Sequence, residues 1–202
     1  MINGKIIVRE GTEKFNLIKQ NSRGQRYYKI VKKTPRLSDV AIKTERSVKL
    51  KDIKAVHFDL YGVHLNEDIL ASNITYHGAF PPDEINNQLY SGFGLVWDGS
   101  SIEKCDGNTG EYLKYNNPHK LSLYLVSGIP VVIWKEAAEA KFVEEHGLGI
   151  TVNSLDELGE KFASLSEEEY FEMVKNVAVV SNRLKNGYYL TQWSFLKYIF
   201  YF

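Results

Sequence analysis

Residues 115–132 have the sequence YNNPHKLSLYLVSGIPVV, which contains the start of a helix, its end and the strand that follows. Asn117 stands where a helix N-cap is expected, and Pro118 suits the first helical turn. Gly128 can end the helix, and Pro130 precedes a run of β-branched residues that is typical of a buried strand. The stretch therefore predicts a short apolar helix that leads into a buried strand.

The start of this helix also predicts a place for an anion. The first N–H groups of a helix have no partner within it, and their dipoles favour a phosphate. Lys120 lies in the same first turn and can add a mobile positive charge for a diphosphate. An ordinary capped helix with a surface lysine has the same pattern, so the residues alone leave both interpretations open.

Short apolar runs alternate with helical patterns on both sides of this stretch. Strands are predicted at 55–62, 74–78, 94–99, 130–134 and 149–152, and helices at 83–90, 119–127 and 136–146. Such alternation predicts an α/β fold with a parallel sheet and right-handed crossovers. A long polar loop, predicted at 100–117, connects one strand end to the helix at Lys120. Because ligands in these sheets bind beyond the carboxyl ends of the strands, that position favours a binding site.

The C-terminal third is predicted to be helical. Ser154 with Glu157, and Ser166 with Glu169, match the capping-box pattern at helix starts. The last ten residues, WSFLKYIFYF, are too few to cross a bilayer as a helix. This aromatic tail predicts a docking element for a second copy or a partner chain, with packing on its own domain as the alternative.

The net charge of zero conceals two oppositely charged parts. Residues 1–54 hold 15 basic and 5 acidic side chains, and the remainder holds 10 basic and 20 acidic ones. KIIVRE and YYKIVKK suggest short strands in the first part, which we otherwise predict to be basic and loosely structured. It could be a solvated extension or a docking segment for an acidic partner or anionic lipid. No nucleic-acid-binding module accompanies the charge, so nucleic acid is not an expected partner.

The sequence thus predicts three parts: the basic segment at 1–54, a domain at 55–190 and the aromatic tail at 191–202.

A single cysteine, Cys105, excludes an intrachain disulfide and cysteine-rich zinc sites. The first residues lack the apolar core of a secretory signal. The longest apolar stretch, 121–134, is interrupted by Ser127, Gly128 and Pro130, which is unlike a membrane span. We expect a cytoplasmic protein, with peripheral work at a membrane surface as an alternative.

Two segments carry a family resemblance. FGLVWDGSS at 93–101 and GEYLKYNNPHKLSLYLVSGIPVVIW at 110–134 resemble the signature of bacterial sugar transferases of the glucosyltransferase 3 and β-1,6-galactofuranosyltransferase type. The flanks ITYHGAFPPDEI and FVEEHGLGITVNSLDEL agree. The resemblance implies a Rossmann-like domain, the C-terminal half of a GT-B fold. Such enzymes move a hexosyl or galactofuranosyl unit from a UDP-sugar to a glycan acceptor without a metal, and this chain holds no Asp-x-Asp pair.

The resemblance also implies a set of UDP-sugar contacts. Lys120 would bind the diphosphate, with three neighbours lining the same corner: Asn116, Asn117 and His119. Asp98 could meet a sugar hydroxyl or hold the turn at Gly99. Related sites often have the pattern K-L-x-E-Y-L, in which the glutamate holds the ribose. Here Leu123 takes that place, so Ser122 or Tyr76 is expected to hold the ribose instead. Tyr76 could also contact the base, or pack at a strand end.

No catalytic base can be assigned from the sequence. None of the five histidines has a neighbour pattern that distinguishes it: His57, His64, His77, His119 and His146. The chain shows one alternating β/α unit, whereas a GT-B enzyme has two. The alternative function is therefore a non-catalytic nucleotide-sugar-binding or partner-binding module. A dinucleotide enzyme is not expected, because the G-x-G-x-x-G fingerprint is absent.

Overall fold

The computed structural model describes residues 5–9, 50–62, 70–81, 84–89, 92–99 and 101–189. Its described strands are β1 Lys5–Arg9, β2 His57–Tyr61, β3 Ile74–Tyr76, β4 Phe93–Val96, β5 Val131–Trp134 and β6 Gly149–Val152. They form one sheet in the order β3-β2-β1-β4-β5-β6, and every neighbouring pair is parallel. This is the strand order of a Rossmann-like domain, and the predicted α/β fold with a parallel sheet is confirmed.

The strand β1 comes from the basic segment before residue 55. KIIVRE was predicted to be a strand, but its position between β2 and β4 was not foreseen. Ile6 is in register with Phe58 on one side and with Phe93 on the other. The predicted strand YYKIVKK and the aromatic tail at 191–202 lie outside the described residues, so the predicted division of the chain remains a prediction. The structure adds that Lys5–Arg9 belongs to the same sheet as the later strands.

Five α-helices and three 3-10 turns accompany the sheet in the described ranges. The helices are α1 Gly107–Tyr112, α2 His119–Ser127, α3 Ala140–Glu145, α4 Leu158–Ser164 and α5 Glu167–Lys185. The 3-10 turns are Leu50–Asp52, Ile85–Asn87 and Leu155–Glu157.

Two of these elements correct the sequence prediction. The loop expected at 100–117 contains helix α1. The helix expected at 83–90 is reduced, within the described residues, to the turn Ile85–Asn87. There the Pro81 carbonyl accepts bonds from the N–H groups of Glu84 and Ile85, so the segment forms a tight turn after the proline.

The helix caps agree only in part with the prediction. At α5, Ser166 and Glu169 form the reciprocal capping box that their spacing predicted. Ser154 instead accepts a bond from the N–H of Asp156, and Glu157 accepts from Asn153. At α2 the N-cap is Pro118 rather than Asn117, and no side chain caps the helix. The predicted N-cap, Asn117, is one residue too early, because Pro118 keeps extended ψ and does not enter the helix.

Close packing fixes α2 against the centre of the sheet. Gly94 of β4 lies under the ring of Tyr124, where a Cβ would come within 2.1 Å of the tyrosine Cγ. Tyr124 is fully buried, and the hydroxyl of Ser181 on α5 donates to the carbonyl of Val126 from the other side. This packing fixes the position of α2 relative to the strand ends. No helix in the described ranges is long and apolar enough to span a membrane.

Candidate functional site

The strand order reverses between β1 and β4. The chain continues from β1 to β2 on one side and from β4 to β5 on the other. In open parallel sheets this reversal opens a crevice beyond the carboxyl ends of the two strands, where ligands bind. β4 ends at Val96, and Trp97 and Asp98 follow directly at this edge. The fold thus places Asp98 at the position that general topology favours for a ligand.

Asp98 and Lys120 form an ion pair at this edge. The Lys120 Nζ donates to Asp98 Oδ1 at 2.6 Å. The Lys120 side chain is 15% exposed and that of Asp98 is 23% exposed. Solvent therefore reaches both groups, but it screens their attraction less than it would for a fully exposed pair. Lys120 lies in the first turn of α2, whose leading N–H groups have no side-chain cap. A cation and the start of a helix without a side-chain cap are therefore brought together beside the end of β4.

Backbone packing holds the Asp98 turn in place. The N–H of Asp98 lies 3.4 Å from Cys105 Sγ, and the Trp97 ring N–H donates to the Ser101 carbonyl. A Cβ on Gly110 of α1 would come within 2.8 Å of the Asp98 carbonyl and 2.5 Å of the Cys105 carbonyl carbon. Burial raises the pKa of the Cys105 thiol well above its usual range. Cys105 therefore acts as packing beneath the turn, and α1 lies directly against it.

The residues between α1 and α2 adjoin the same corner. Asn117 and His119 are exposed, whereas Asn116 is half-buried. The Asn116 side-chain oxygen is itself buried and has no hydrogen-bond partner. Ser122 is half-buried on α2, and Leu123 belongs to the core. The predicted residues Asn116, Asn117, His119 and Ser122 thus adjoin Lys120 along the chain, at and just before the start of α2.

Tyr76 lies apart from this corner. It ends β3 at the sheet edge, and its hydroxyl donates to the Gly62 carbonyl at 2.6 Å. β3 is three strand positions from β4, which corresponds to roughly 14 Å at ordinary strand spacing. Tyr76 is 37% exposed, so its ring remains accessible to solvent. The structure therefore does not bring it together with Lys120.

A second polar cluster, which the sequence analysis did not predict, lies along the neighbouring strands β2 and β3. Asp59 is 1% exposed, and its Oδ1 is hydrogen-bonded to His77 Nε2. The His77 ring stacks on Tyr61 with centroids 4.8 Å apart. His57 Nε2 lies 2.9 Å from Thr75 Oγ1 and 3.9 Å from Asp59 Oδ1. A buried aspartate inside an otherwise apolar strand, HFDLY, is the one sequence signal that could have indicated this cluster.

The corner at β4 can bind an anion by charge and by hydrogen bonding. Lys120 supplies the charge, the start of α2 supplies oriented N–H groups, and Asp98 keeps the lysine in position. In the part of the chain that the structure describes, no three His, Cys, Asp or Glu side chains are grouped as metal ligands would be.

Comparisons with known proteins point to one family. A family model described as "Glucosyltransferase 3-like, C-terminal domain" matches residues 40–195. Beta-1,6-galactofuranosyltransferase WbbI of Escherichia coli (strain K12) is 41% identical over 136 residues, which are 65% of this chain and 40% of that protein. Glucosyltransferase 3 of Streptococcus gordonii is 36% identical over 119 residues, 58% of this chain and 35% of that protein. The match thus spans two fifths or less of the length of these relatives.

A comparison with solved structures gives a weaker similarity. Spinosyn forosaminyltransferase SpnP superposes with a TM-score of 0.44 at 18% sequence identity. The match covers 76% of this chain and 40% of that structure.

Proposed function

Because the chain belongs to the glucosyltransferase 3-like family, we propose that it forms the donor-binding domain of a glycosyltransferase and binds a UDP-sugar. The observation that carries the proposal is the Lys120–Asp98 pair at the uncapped start of α2. It places a positive charge and a helix start without a side-chain cap at the reversal point of the sheet. A diphosphate carries the charge and the oxygen acceptors that such a corner would bind.

The proposed assignment follows the geometry residue by residue. Lys120 and the first N–H groups of α2 bind the diphosphate. Asn116, Asn117 and His119 line the approach to it, and Ser122 offers a hydroxyl one residue after the lysine. Asp98 is next to Lys120 and can accept a bond from a sugar hydroxyl with its second oxygen. Tyr76 would reach only an extended part of the ligand, such as the base, because of its distance from β4.

In the proposed reaction a hexosyl or galactofuranosyl unit passes to a glycan acceptor. The acceptor hydroxyl oxygen forms a bond to the anomeric carbon, and the bond between that carbon and the diphosphate oxygen breaks. UDP leaves with the electron pair, and the hydroxyl proton is released. Lys120 and the helix N–H groups would stabilise the charge that develops on the leaving diphosphate, without a metal. The relatives, a galactofuranosyltransferase and a glucosyltransferase, support this class of transfer.

Calorimetry with UDP and uridine tests the proposal through Lys120→Ala. A charge-assisted contact contributes about 1.5–3 kcal/mol, so the variant should bind UDP roughly ten- to a hundredfold more weakly. Uridine, which has no phosphate, should bind as before. Lys141→Ala is the matched control, because Lys141 also pairs with a carboxylate, Glu145 at 3.5 Å, but is 82% exposed on α3.

Three outcomes separate the interpretations. If the unmodified chain does not bind UDP at all, the proposed function is wrong. If UDP and uridine lose affinity equally in Lys120→Ala, the lysine is structural and the diphosphate assignment fails. If UDP binds as expected but no sugar is transferred or hydrolysed from a UDP-sugar, the chain is the non-catalytic binding module rather than a transferase.

A further inference from the structure

The segment before α2 exposes two aromatic rings. Tyr115 is 80% exposed and Tyr112 is 60% exposed, the largest values among the bulky apolar side chains of the described residues. Both precede the corner at Asn116–Lys120 by only a few positions. Large exposed aromatic rings beside a binding site are commonly part of it, because their apolar faces remain available to a ligand.

The rings are presented by an anchored segment. Leu113, between them, is fully buried, and its carbonyl accepts a bond from the N–H of Ala138 at 3.0 Å. Lys114 pairs with Glu111 and Glu136, each at 3.1 Å, and lies over the ring of Trp134. The N–H groups of Tyr115 and Asn116 both donate to the Tyr112 carbonyl. The backbone of this segment is therefore anchored to the rest of the domain, while both tyrosine rings are exposed to solvent.

The same segment touches the ion-pair corner. Gly110, two residues before Tyr112, packs so closely on the Asp98 carbonyl that a Cβ there would lie 2.8 Å from it. Asp98 in turn binds Lys120. The helix that carries Tyr112 thus packs on the turn that holds the proposed diphosphate site.

The chemistry around the rings favours a neutral hydroxylated ligand. Asn108 and Asn117 are exposed nearby and offer amide groups. The charged neighbours Glu111 and Glu136 share the single cation of Lys114, which leaves one net negative charge. Aromatic faces with amide and hydroxyl groups suit the C–H faces and hydroxyls of sugars, whereas a net negative charge disfavours an acidic peptide or a nucleic acid.

We propose that Tyr112 and Tyr115 form the stacking surface for the glycan acceptor, an assignment that rests on the proposed transfer function. The donor's own sugar is attached to the diphosphate and belongs at the corner itself. The tyrosines open to solvent, from which the acceptor chain arrives. The acceptor would lie across the two rings with its terminal sugar directed toward Asp98 and Lys120.

The test uses the full chain and two neutral trisaccharides, maltotriose and cellotriose, titrated by NMR with and without saturating UDP. At least one trisaccharide should bind at millimolar concentrations. Loss of one aromatic contact is worth about 0.5–1.5 kcal/mol, so Tyr115→Ala and Tyr112→Ala should each weaken it roughly two- to tenfold. Tyr115→Trp should retain binding. Tyr188→Ala, which removes a 43% exposed tyrosine after α5, should change nothing.

UDP affinity, measured by calorimetry on the same samples, separates this proposal from the proposed function. Intact UDP binding with no trisaccharide binding, or with alanine variants that bind trisaccharide normally, overturns the stacking surface and leaves the function standing. A loss of UDP affinity in the alanine variants assigns the rings to the nucleotide and also overturns it. Conversion of a dimer to a monomer by Tyr115→Ala in sedimentation would make the surface a self-association site instead. Absence of UDP binding in the unmodified chain refutes the function itself.

Discussion

The polar clusters on β2 and at the end of β4 differ in how far solvent reaches their groups. At β2, Asp59 is almost inaccessible and is bonded to His77, which stacks on Tyr61. At β4, Asp98 and Lys120 remain partly exposed beside an uncapped helix start. A buried group that bonds within the protein contributes to the fold, whereas a partly exposed ion pair remains accessible to a ligand. From this comparison we expect the first cluster to matter for stability and the second for ligand binding.

The largest effect is expected from a variant that displaces α1 from the Asp98 turn. In Gly110→Ala the new Cβ would meet backbone atoms of Asp98 and Cys105 within 3 Å, which neither can avoid by a side-chain rotation. Overpacking of this kind costs about 1–3 kcal/mol, and we expect about 2 kcal/mol or more in urea unfolding. UDP affinity should fall as well, because Asp98 positions Lys120.

The reactivity of Cys105, the single cysteine, reports the displacement of α1 directly. Cys105 is buried with a raised thiol pKa, so it should react slowly with iodoacetamide in the native chain and several-fold faster in Gly110→Ala. Gly107→Ala is the control in the same helix. Its φ of +65° strains an alanine, but its Cβ meets nothing within 4 Å. Equal cysteine reactivity in the two variants would show that α1 does not support the Asp98 turn.

The two clusters also differ in how much of them the sequence could predict. The β4 corner is local: Asn116 to Lys120 are contiguous, and helix-start chemistry indicates them. Its contact with Asp98 follows once α2 is recognised as part of the crossover that leads from β4 to β5. The Asp59–His77 pair joins residues 18 positions apart on neighbouring strands, and only the register of β2 with β3 brings them together.

The position of β1 in the sheet could not be predicted for the same reason. KIIVR is a recognisable strand, but no local pattern tells which strands it lies between. The helix α1 was missed for a different reason. Gly107 and Gly110 argue against a helix by propensity, whereas packing against Cys105 and Asp98 requires a residue without a Cβ at Gly110. Tertiary contacts, which propensity cannot report, decided both cases.

Asp59→Asn tests the structural role of the Asp59 cluster, and its effect on stability should be of intermediate size. The amide keeps the shape of the carboxylate but loses the charge-assisted bond to His77, which should lower the free energy of unfolding by about 1–2 kcal/mol. UDP affinity should stay unchanged, because β2 lies about 10 Å from β4 across β1. Urea unfolding and calorimetry measure the two effects. Asp52→Asn, at an exposed aspartate, is the control. Weaker UDP binding without lost stability would instead place the Asp59 cluster in the ligand site.

Asp98→Asn should give the smallest effect and sharpen the assignment of the β4 corner. In the free chain, Asp98 competes with a phosphate for Lys120, since the two side chains are 2.6 Å apart. An asparagine oxygen can still accept the lysine bond but carries no charge. UDP should therefore bind more tightly, by about 0.5–1 kcal/mol or roughly two- to fivefold, as expected for a partly exposed ion pair.

A double-mutant cycle shows whether this gain acts through Lys120. When Lys120→Ala is already present, the Asp98 carboxylate is left unpaired and faces the diphosphate, so Asp98→Asn should then improve UDP binding more than it does in the unmodified chain. Calorimetry on the four proteins at fixed ionic strength measures the coupling. Equal gains in both backgrounds would mean that Asp98 acts on the phosphate independently of the lysine. Weaker UDP binding by Asp98→Asn alone would mean that the carboxylate's main role is to orient Lys120, and the competition between Asp98 and the phosphate would be negligible.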